Sequence, residues 1–386
     1  MAQNTTESTT RAGGPPARSR LFYLDNLRVV LTILVVLHHA AITYGNIPLW
    51  FYTEPAQDPS GVLLDVFVIV DQTFFMGMFF LIAGYFVPGS VDRRGRRGFV
   101  RERLLRLGVP LLVFLVLLRP VAMAPIYGRL LASDPDVPLW WWYLLTFDPG
   151  PLWFVEVLLV MSLVYVLVRR AGEPDATATA AAAPSVGTHT DRGRLRWLLP
   201  VVAFTVGLAV VTFCWRWAFP APYWPVVGLP SPGFLPQYVA LFAVGIFAYR
   251  GDWPNRLPGR AGLVGAVTAL AALPVMLAFG MTTPGSGAAL GQILAEGFFA
   301  TGVILALLVF FRRFVTGQGG LWRFLSANAY AVYVLHALVL VGLGVLLSGW
   351  EGTAVAKFVV LAALAVPSTW LLAAFVRALP GAKRVL

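Results

Sequence analysis

A chain of 386 residues that is 58% hydrophobic and only 12% charged, with a mean hydropathy of +0.76, is no water-soluble globule, since those carry about 25% charged residues. Its net charge of +11 would suit a nucleic-acid binder, but the charges fall between long apolar runs, where they report topology and not a nucleic-acid partner. The runs reach about 20 residues without alternation, which fits spanning helices and excludes a membrane β-barrel.

Residues 1–20, rich in Thr, Ser, Gly and Pro, read as a disordered cytoplasmic tail. The rest, 21–386, reads as one transmembrane domain with spans at about 24–45, 62–87, 107–127, 151–169, 197–219, 233–250, 261–280, 289–311, 324–348 and 354–376. The prediction is an all-α polytopic membrane protein with about ten transmembrane helices. The first run lies too far inside and is too long for a cleaved signal peptide, so it is expected to remain as an anchor. Of the 29 Lys and Arg, 25 fall on alternate sides of the span series, seven of them between Arg93 and Arg106. Both termini are therefore expected in the cytoplasm. Only Arg119, Arg129, Arg216 and Lys357 are left for the spans and the opposite loops. Arg outnumbers Lys 27 to 2, a usage compatible with a GC-rich bacterial genome and so with a bacterial inner membrane. Residues 171–194 form an Ala/Thr/Pro tract that reads as a flexible cytoplasmic loop, and His189 within it is given no role. Cys214 is the single cysteine, so neither an internal disulfide nor a cysteine-type metal site is available.

The first span, "YLDNLRVVLTILVVLHHAAITYG", holds the densest chemistry. Eleven steps of 100° set Arg28 and His39 within about 20° of one face and about 16 Å apart along the axis. His38 lies off that stripe. Asp25 precedes Arg28 by three residues and can pair with it across one turn. An ionisable side chain inside a bilayer costs on the order of 2.5–3.5 kcal/mol on insertion scales, so function is the default reading for His39; a satisfied interhelical hydrogen bonder is its rival. In the second span Asp65 and Asp71 enter from the outer side, and Asp71, the deeper, is the better partner for a histidine or arginine. Arg103 and Arg106 open the third span on one helix face. Arg119 deeper in that span needs a counter-charge, for which Asp71 and Glu156 are the candidates.

The loop after the third span carries Trp140–Trp142 and Tyr143, with Trp153 just beyond. These rings suit either the interfacial belt or stacking against sugar rings. The fifth loop is rich in proline and aromatic residues, and Trp215, Arg216 and Trp217 beside it can form an aromatic–cation cluster or line an acceptor site. Glu156 opens the fourth span, where it can orient His39 or an acceptor. His336 lies alone in the apolar ninth span, and a structural hydrogen bonder rivals a second active-site role. Lys357 near the end of the last span is expected to snorkel.

A neutral imidazole at His39 can take a proton from a hydroxyl attacking an activated acyl carbon. Arginines at the cytoplasmic mouth can grip phosphates through forked hydrogen bonds. A nucleotide phosphate held by Arg28, Arg103 and Arg106 would leave a thioester arm to cover the roughly 16 Å to His39. The polar residues would then mark two ends of a path that delivers an acyl group across the membrane.

At these residues the sequence resembles the bacterial acyltransferase-3 family of membrane O-acyltransferases. The family's Asp-x-Leu-Arg, followed after ten residues by His, is similar to Asp25, Leu27, Arg28 and His39; Asn26 stands where many members have glycine. "RLLR" resembles its Arg-x-x-Arg at Arg103 and Arg106, and "FFMGMFFLIAGYF" its Phe- and Gly-rich second helix. "LWFVEVLL" around Glu156 and "LSANAYAVYVLHALVLV", with Tyr333 and His336, resemble later helices of the family. The first-helix wording is closest to the branch that contains the glucan biosynthesis protein C.

The resemblance implies transfer of an acyl group from cytoplasmic acyl-CoA to a hydroxyl of an extracytoplasmic glycan, glycolipid or glycosylated product. His39 would be the base, with Glu156 and Asp71 as catalytic carboxylates. Arg28, Arg103, Arg106 and Asp25 would serve the donor, and His38, Tyr333, His336 and Trp153 are candidates for a supporting or acceptor role. The implied partners are acyl-CoA, a carbohydrate-containing acceptor and the bilayer, with no nucleic acid. The thioester carries the activation, so neither a metal nor a bound cofactor is expected.

A proton-coupled secondary transporter is the alternative, since intramembrane His, Asp and Glu also build carriers. The sequence shows no duplicated halves with matching interruptions, and its polar residues concentrate in the first four spans. A third reading puts the catalytic histidine at His336 in an unrelated polytopic acyltransferase. No phosphate-binding Gly-rich loop, nucleophile elbow or zinc-protease motif is present.

Overall fold

The computed structural model describes residues 21–47, 49–169, 197–219, 232–279 and 286–386. The readings at 1–20 and 171–194, with His189, lie outside the described residues, as do residues 220–231 of the fifth loop. Every regular element among the described residues is helical. In chain order they are α1 (Phe22–Tyr44), α2 (Gly61–Gln72), α3 (Phe75–Arg103), α4 (Val109–Val113), α5 (Arg119–Ala122), α6 (Ala124–Ser133), α7 (Leu139–Leu145) and α8 (Trp153–Val168). Then come α9 (Leu198–Ala218), α10 (Leu235–Arg250), α11 (Trp253–Arg256), α12 (Arg260–Phe279), α13 (Gly287–Phe314), α14 (Gly320–Leu346) and α15 (Ala354–Ala378). The chain is an all-α polytopic membrane protein.

Among the described residues nine stretches are long and apolar enough to cross a bilayer, and one of them, Gly61–Ala122, has 62 residues. That is about three times the length of a single crossing. Gly95 divides it: its φ of 68° leaves the helical region for one that glycine adopts freely. Taken as two crossings, the run brings the total to the ten expected. Its second half is not the single helix expected at 107–127. Leu104–Gly108 and Phe114–Leu118 are wide π-turns, each followed closely by a proline, Pro110 and Pro120. Pro110 has no N–H to give the Arg106 carbonyl four residues back, and the Tyr330 hydroxyl donates to that carbonyl instead, at 2.6 Å. In the second wide turn the Tyr143 hydroxyl bonds the Leu115 carbonyl at 2.8 Å.

In lipid, helices gain little by hiding apolar faces from one another, so close backbone contact matters more. Gly84 of α3 and Gly245 of α10 let those helices touch: a Cβ on Gly84 would lie 2.1 Å from the Phe242 carbonyl oxygen, and one on Gly245 2.2 Å from that of Leu81. Gly265 and Gly302 seat α12 on α13 in the same way, with Cβ positions 2.5 and 2.6 Å from the facing carbonyl oxygens. Against this scaffold α1 packs on α14 and α15. Its first turn is pinned by Asn26, wholly buried, whose amide donates to the Val315 and Gly317 carbonyls at 2.9 and 3.0 Å. Gln318 donates back to the Asn26 oxygen at 3.0 Å.

At the opposite end, the loop after α1 folds over the start of α15. The Ala354 and Val355 N–H groups donate to Asp58 and Ser60 side chains at 2.8 and 3.2 Å, closing orphan donors at a helix N-terminus. Hydrogen bonds from the Ser60 hydroxyl and from the Ala354 and Ser60 N–H groups hold Asp58 below the ordinary carboxylate range. Lys357, expected to snorkel, instead pairs with Glu54 at 2.9 Å, and Glu54 also accepts from the Tyr52 hydroxyl.

Gly84→Ala or Gly245→Ala should destabilise the bundle by about 1–3 kcal/mol, the usual range for overpacking. Gly128→Ala, inside α6 where a Cβ meets nothing within 4 Å, should be neutral or stabilise by up to about 1 kcal/mol, since alanine is the better helix former. Thermal melts of the three variants in one detergent check this.

Candidate active site

A cavity of about 330 Å³ lies where α1, α3, α8 and α14 converge. One end is lined by Arg28, Arg93, Arg94, Glu102, Arg103 and Arg106, and the other by Phe79, Phe154, Leu158 and Tyr333. Three arginines read from the sequence as donor-binding thus share one cavity. Arg93 and Arg94, which the sequence offered only as topology anchors, join them. Glu102 bridges two of the guanidinium groups, 3.1 Å from Arg94 and 3.8 Å from Arg106. Arg28 lies 3.8 Å from Asp25, as their spacing predicts. The Arg103 guanidinium stands over the Phe99 ring at 4.9 Å.

His39 and His336 do not line the cavity; their rings lie beyond Tyr333, packed in line with it. The Tyr333 ring is 5.7 Å from that of His336, and His336 is 5.0 Å from His39. The Tyr333 hydroxyl donates to the Pro151 carbonyl, which ties α14 to the start of α8. His39 Nδ1 lies 2.9 Å from the Val35 carbonyl and His336 Nδ1 2.6 Å from that of Tyr333. A carbonyl only accepts, so both rings carry their proton on Nδ1 and a lone pair on Nε2. That tautomer is the one a general base requires. Trp50 covers the group, with its ring 4.0 Å from His39 and 6.1 Å from His336. Its position in a loop gave the sequence no signal for this contact.

A family model described as "Acyltransferase domain" (Acyl_transf_3) matches residues 21–374. The chain belongs to this acyltransferase family. No curated protein and no solved structure shows significant similarity to the chain.

Within this membrane acyltransferase the remaining candidates separate. Asp71, 2% exposed, faces His38 and not His39, at 3.2 Å from Nδ1 and outside hydrogen-bond angles. His38 stacks on Phe75 at 5.0 Å. Glu156 lies two residues from Phe154, about 200° around α8 and away from the cavity wall. Its Oε2 is buried without a hydrogen-bond partner among the described residues. Trp153 is a core residue, 5.3 Å from Tyr238 and 6.3 Å from Phe80. Trp140 and Trp141 are exposed at 62% and 45%, free to meet lipid headgroups or an acceptor.

Arg119 corrects an expectation. Its counter-charge is Asp148, at 2.9 Å, and neither Asp71 nor Glu156. The fully buried guanidinium also donates to the Tyr127 hydroxyl at 2.9 Å and to the Thr146 carbonyl. Asp148 reaches it because the chain turns sharply at Gly150, whose φ is 49° and whose N–H donates to Asp148 at 2.6 Å. Arg216 pairs with Glu296 at 2.7 Å and stands over Phe234 at 4.8 Å, while the Trp215 N–H donates to the Pro232 carbonyl at 2.9 Å. An acid on a distant helix leaves no trace in local spacing, so Glu296 was not legible as the partner.

Asp148→Asn should destabilise the protein by roughly 2 kcal/mol, below the 3–5 kcal/mol of a fully buried broken pair because part of the Asp148 side chain is exposed. A detergent melt measures it. A loss under ~0.5 kcal/mol would show that Arg119 does not depend on this carboxylate.

Proposed function

We propose that the protein transfers an acyl group from cytoplasmic acyl-CoA to a hydroxyl of an extracytoplasmic glycan, glycolipid or glycosylated product. The observation that carries this reading is the cavity. Its guanidinium-lined end leads to Tyr333, and the rings of Tyr333, His336 and His39 continue the line inward. Forked guanidinium groups suit the phosphates of CoA, while the apolar far end suits a pantetheine arm and its acyl group. The arginine-rich end is cytoplasmic in this reading, and the membrane is a bacterial inner membrane. The first-helix wording supports the branch containing the glucan biosynthesis protein C, and with it a carbohydrate acceptor.

In the reaction, the acceptor oxygen attacks the thioester carbon. The hydroxyl proton passes to His39 Nε2, the C–O bond forms, the C–S bond breaks and the CoA thiolate takes up a proton. The Val35 carbonyl holds His39 in the tautomer this demands. Arg103 and Arg106 fix the donor by its phosphates and so set where the thioester lies.

The test is CoA release by the purified protein across an acyl-CoA panel, with and without glycosyl acceptors. His39→Ala should lower kcat by at least about 100-fold with the fold intact. Arg103→Gln should raise KM for acyl-CoA by roughly 10-fold or more, the value of one lost charged hydrogen bond. Full turnover in His39→Ala would contradict the assignment of the base. No turnover in folded wild type across the panel would favour the carrier reading.

A further inference from the structure

Two histidines from different helices meet inside the bundle with their rings 5.0 Å apart. Each Nδ1 is bonded back to a carbonyl of its own helix, Val35 for His39 and Tyr333 for His336. Both Nε2 edges are therefore turned away from their own helices, and α1 packs directly on α14. His336 is fully buried, and its Nε2 has no hydrogen-bond partner among the described residues. An unpaired buried acceptor is rare in a native structure and calls for a reason. Two neutral imidazoles that each present a lone pair gain nothing from one another. One added proton changes this, because it makes one ring a donor and leaves the other, its centre 5.0 Å away, an acceptor that a small ring rotation can bring into hydrogen-bond reach. Asp71 stands 3.2 Å from His38 Nδ1, and the His38 ring is 5.3 Å from that of His39, so the carboxylate reaches His39 only through a second ring. Trp50 covers both rings.

We propose that His39 and His336 act as a pair that holds one proton during turnover. This rests on the acyl-transfer reading. His39 Nε2 takes the proton of the acceptor hydroxyl as the C–O bond forms. His336 Nε2 accepts a hydrogen bond from the resulting imidazolium and shares its charge. The proton then moves to the CoA thiolate as the C–S bond breaks. One proton leaves the hydroxyl, one arrives on the thiol, and both histidines return to neutrality. His336 is a positioning residue that acts through His39, and the buried lone pair at rest is the vacancy the proton fills.

Two substitutions separate this role from a structural one. His336→Gln keeps a hydrogen-bond acceptor, and His336→Leu keeps bulk but no acceptor. CoA release is measured from acetyl-, succinyl- and butyryl-CoA with methyl glucoside as acceptor, in mixtures of H2O and D2O. His336→Leu should lose about 100-fold in kcat, within the range for a proton-transfer group, and His336→Gln should recover at least about tenfold of that. KM for acyl-CoA should stay within about twofold of wild type in both, because the phosphates are bound elsewhere. The dependence of rate on D2O fraction should be bowed in wild type and straight in His336→Leu. Wild-type rates in both variants would overturn the proposal. So would equal losses in both with a raised KM, the signature of a packing defect that reaches the donor cavity. Absence of CoA release in wild type with every donor would overturn the acyl-transfer reading itself, whereas release indifferent to residue 336 would overturn the histidine pair alone.

Discussion

A polar group carried into hydrocarbon must find its partner within the protein, and much of this structure follows from that requirement. Arg119, Arg216 and Lys357 are three of the four cations that the sequence left away from the cytoplasmic segments. Each has a carboxylate within 2.9 Å, from Asp148, Glu296 and Glu54 respectively. The histidines of the site meet the same demand differently. His39 and His336 each use one ring nitrogen on a carbonyl of their own helix, which settles the tautomer without a carboxylate. The unpartnered Nε2 of His336 departs from this pattern, and it departs beside the His39 ring, 5.0 Å away.

The scaffold places these groups through backbone contacts more than through side-chain burial. Gly84 against Phe242, and Gly265 against Gly302, bring helices together at carbonyl distance. Proline acts where continuity would be a hindrance. Pro110 frees the Arg106 carbonyl, and Tyr330, which also lines the cavity, takes it up. The wide turn that contains Arg106 therefore ties the basic end of the cavity to α14, the helix that also carries Tyr333 and His336. One helix thus joins the basic end of the cavity to Tyr333 and His336.

The sequence made the helical class, the number of crossings and the shared stripe of Arg28 and His39 legible, because each depends on local periodicity and composition. The Arg103–Arg106 pair and the late Tyr–His helix were legible through the family resemblance, and the cavity brings Arg28, Arg103, Arg106 and Tyr333 together. Pairing across helices was not legible. Asp148 was passed over for Arg119 because it lies in a loop, and it reaches inward only through the turn at Gly150. Trp50 and Asn26 were invisible for the same reason, since their contacts, with His39 and with Val315 to Gln318, are set by tertiary packing. Arg93 and Arg94 were hidden by plausibility, because a basic run at a membrane edge already has a sufficient explanation.

The central claim is that an acyl-CoA binds with its phosphates at the arginines of the cavity and its acyl carbon beyond Tyr333, at the histidines. Photo-crosslinking with a CoA thioester that bears a diazirine on a short acyl chain tests it most directly, read by peptide mass spectrometry. The account predicts labelling of α1 near His39 and of α14 near His336, competed away by unlabelled CoA. Competable labelling confined to the arginine-rich end, or to residues outside the cavity and the helices around it, would contradict it.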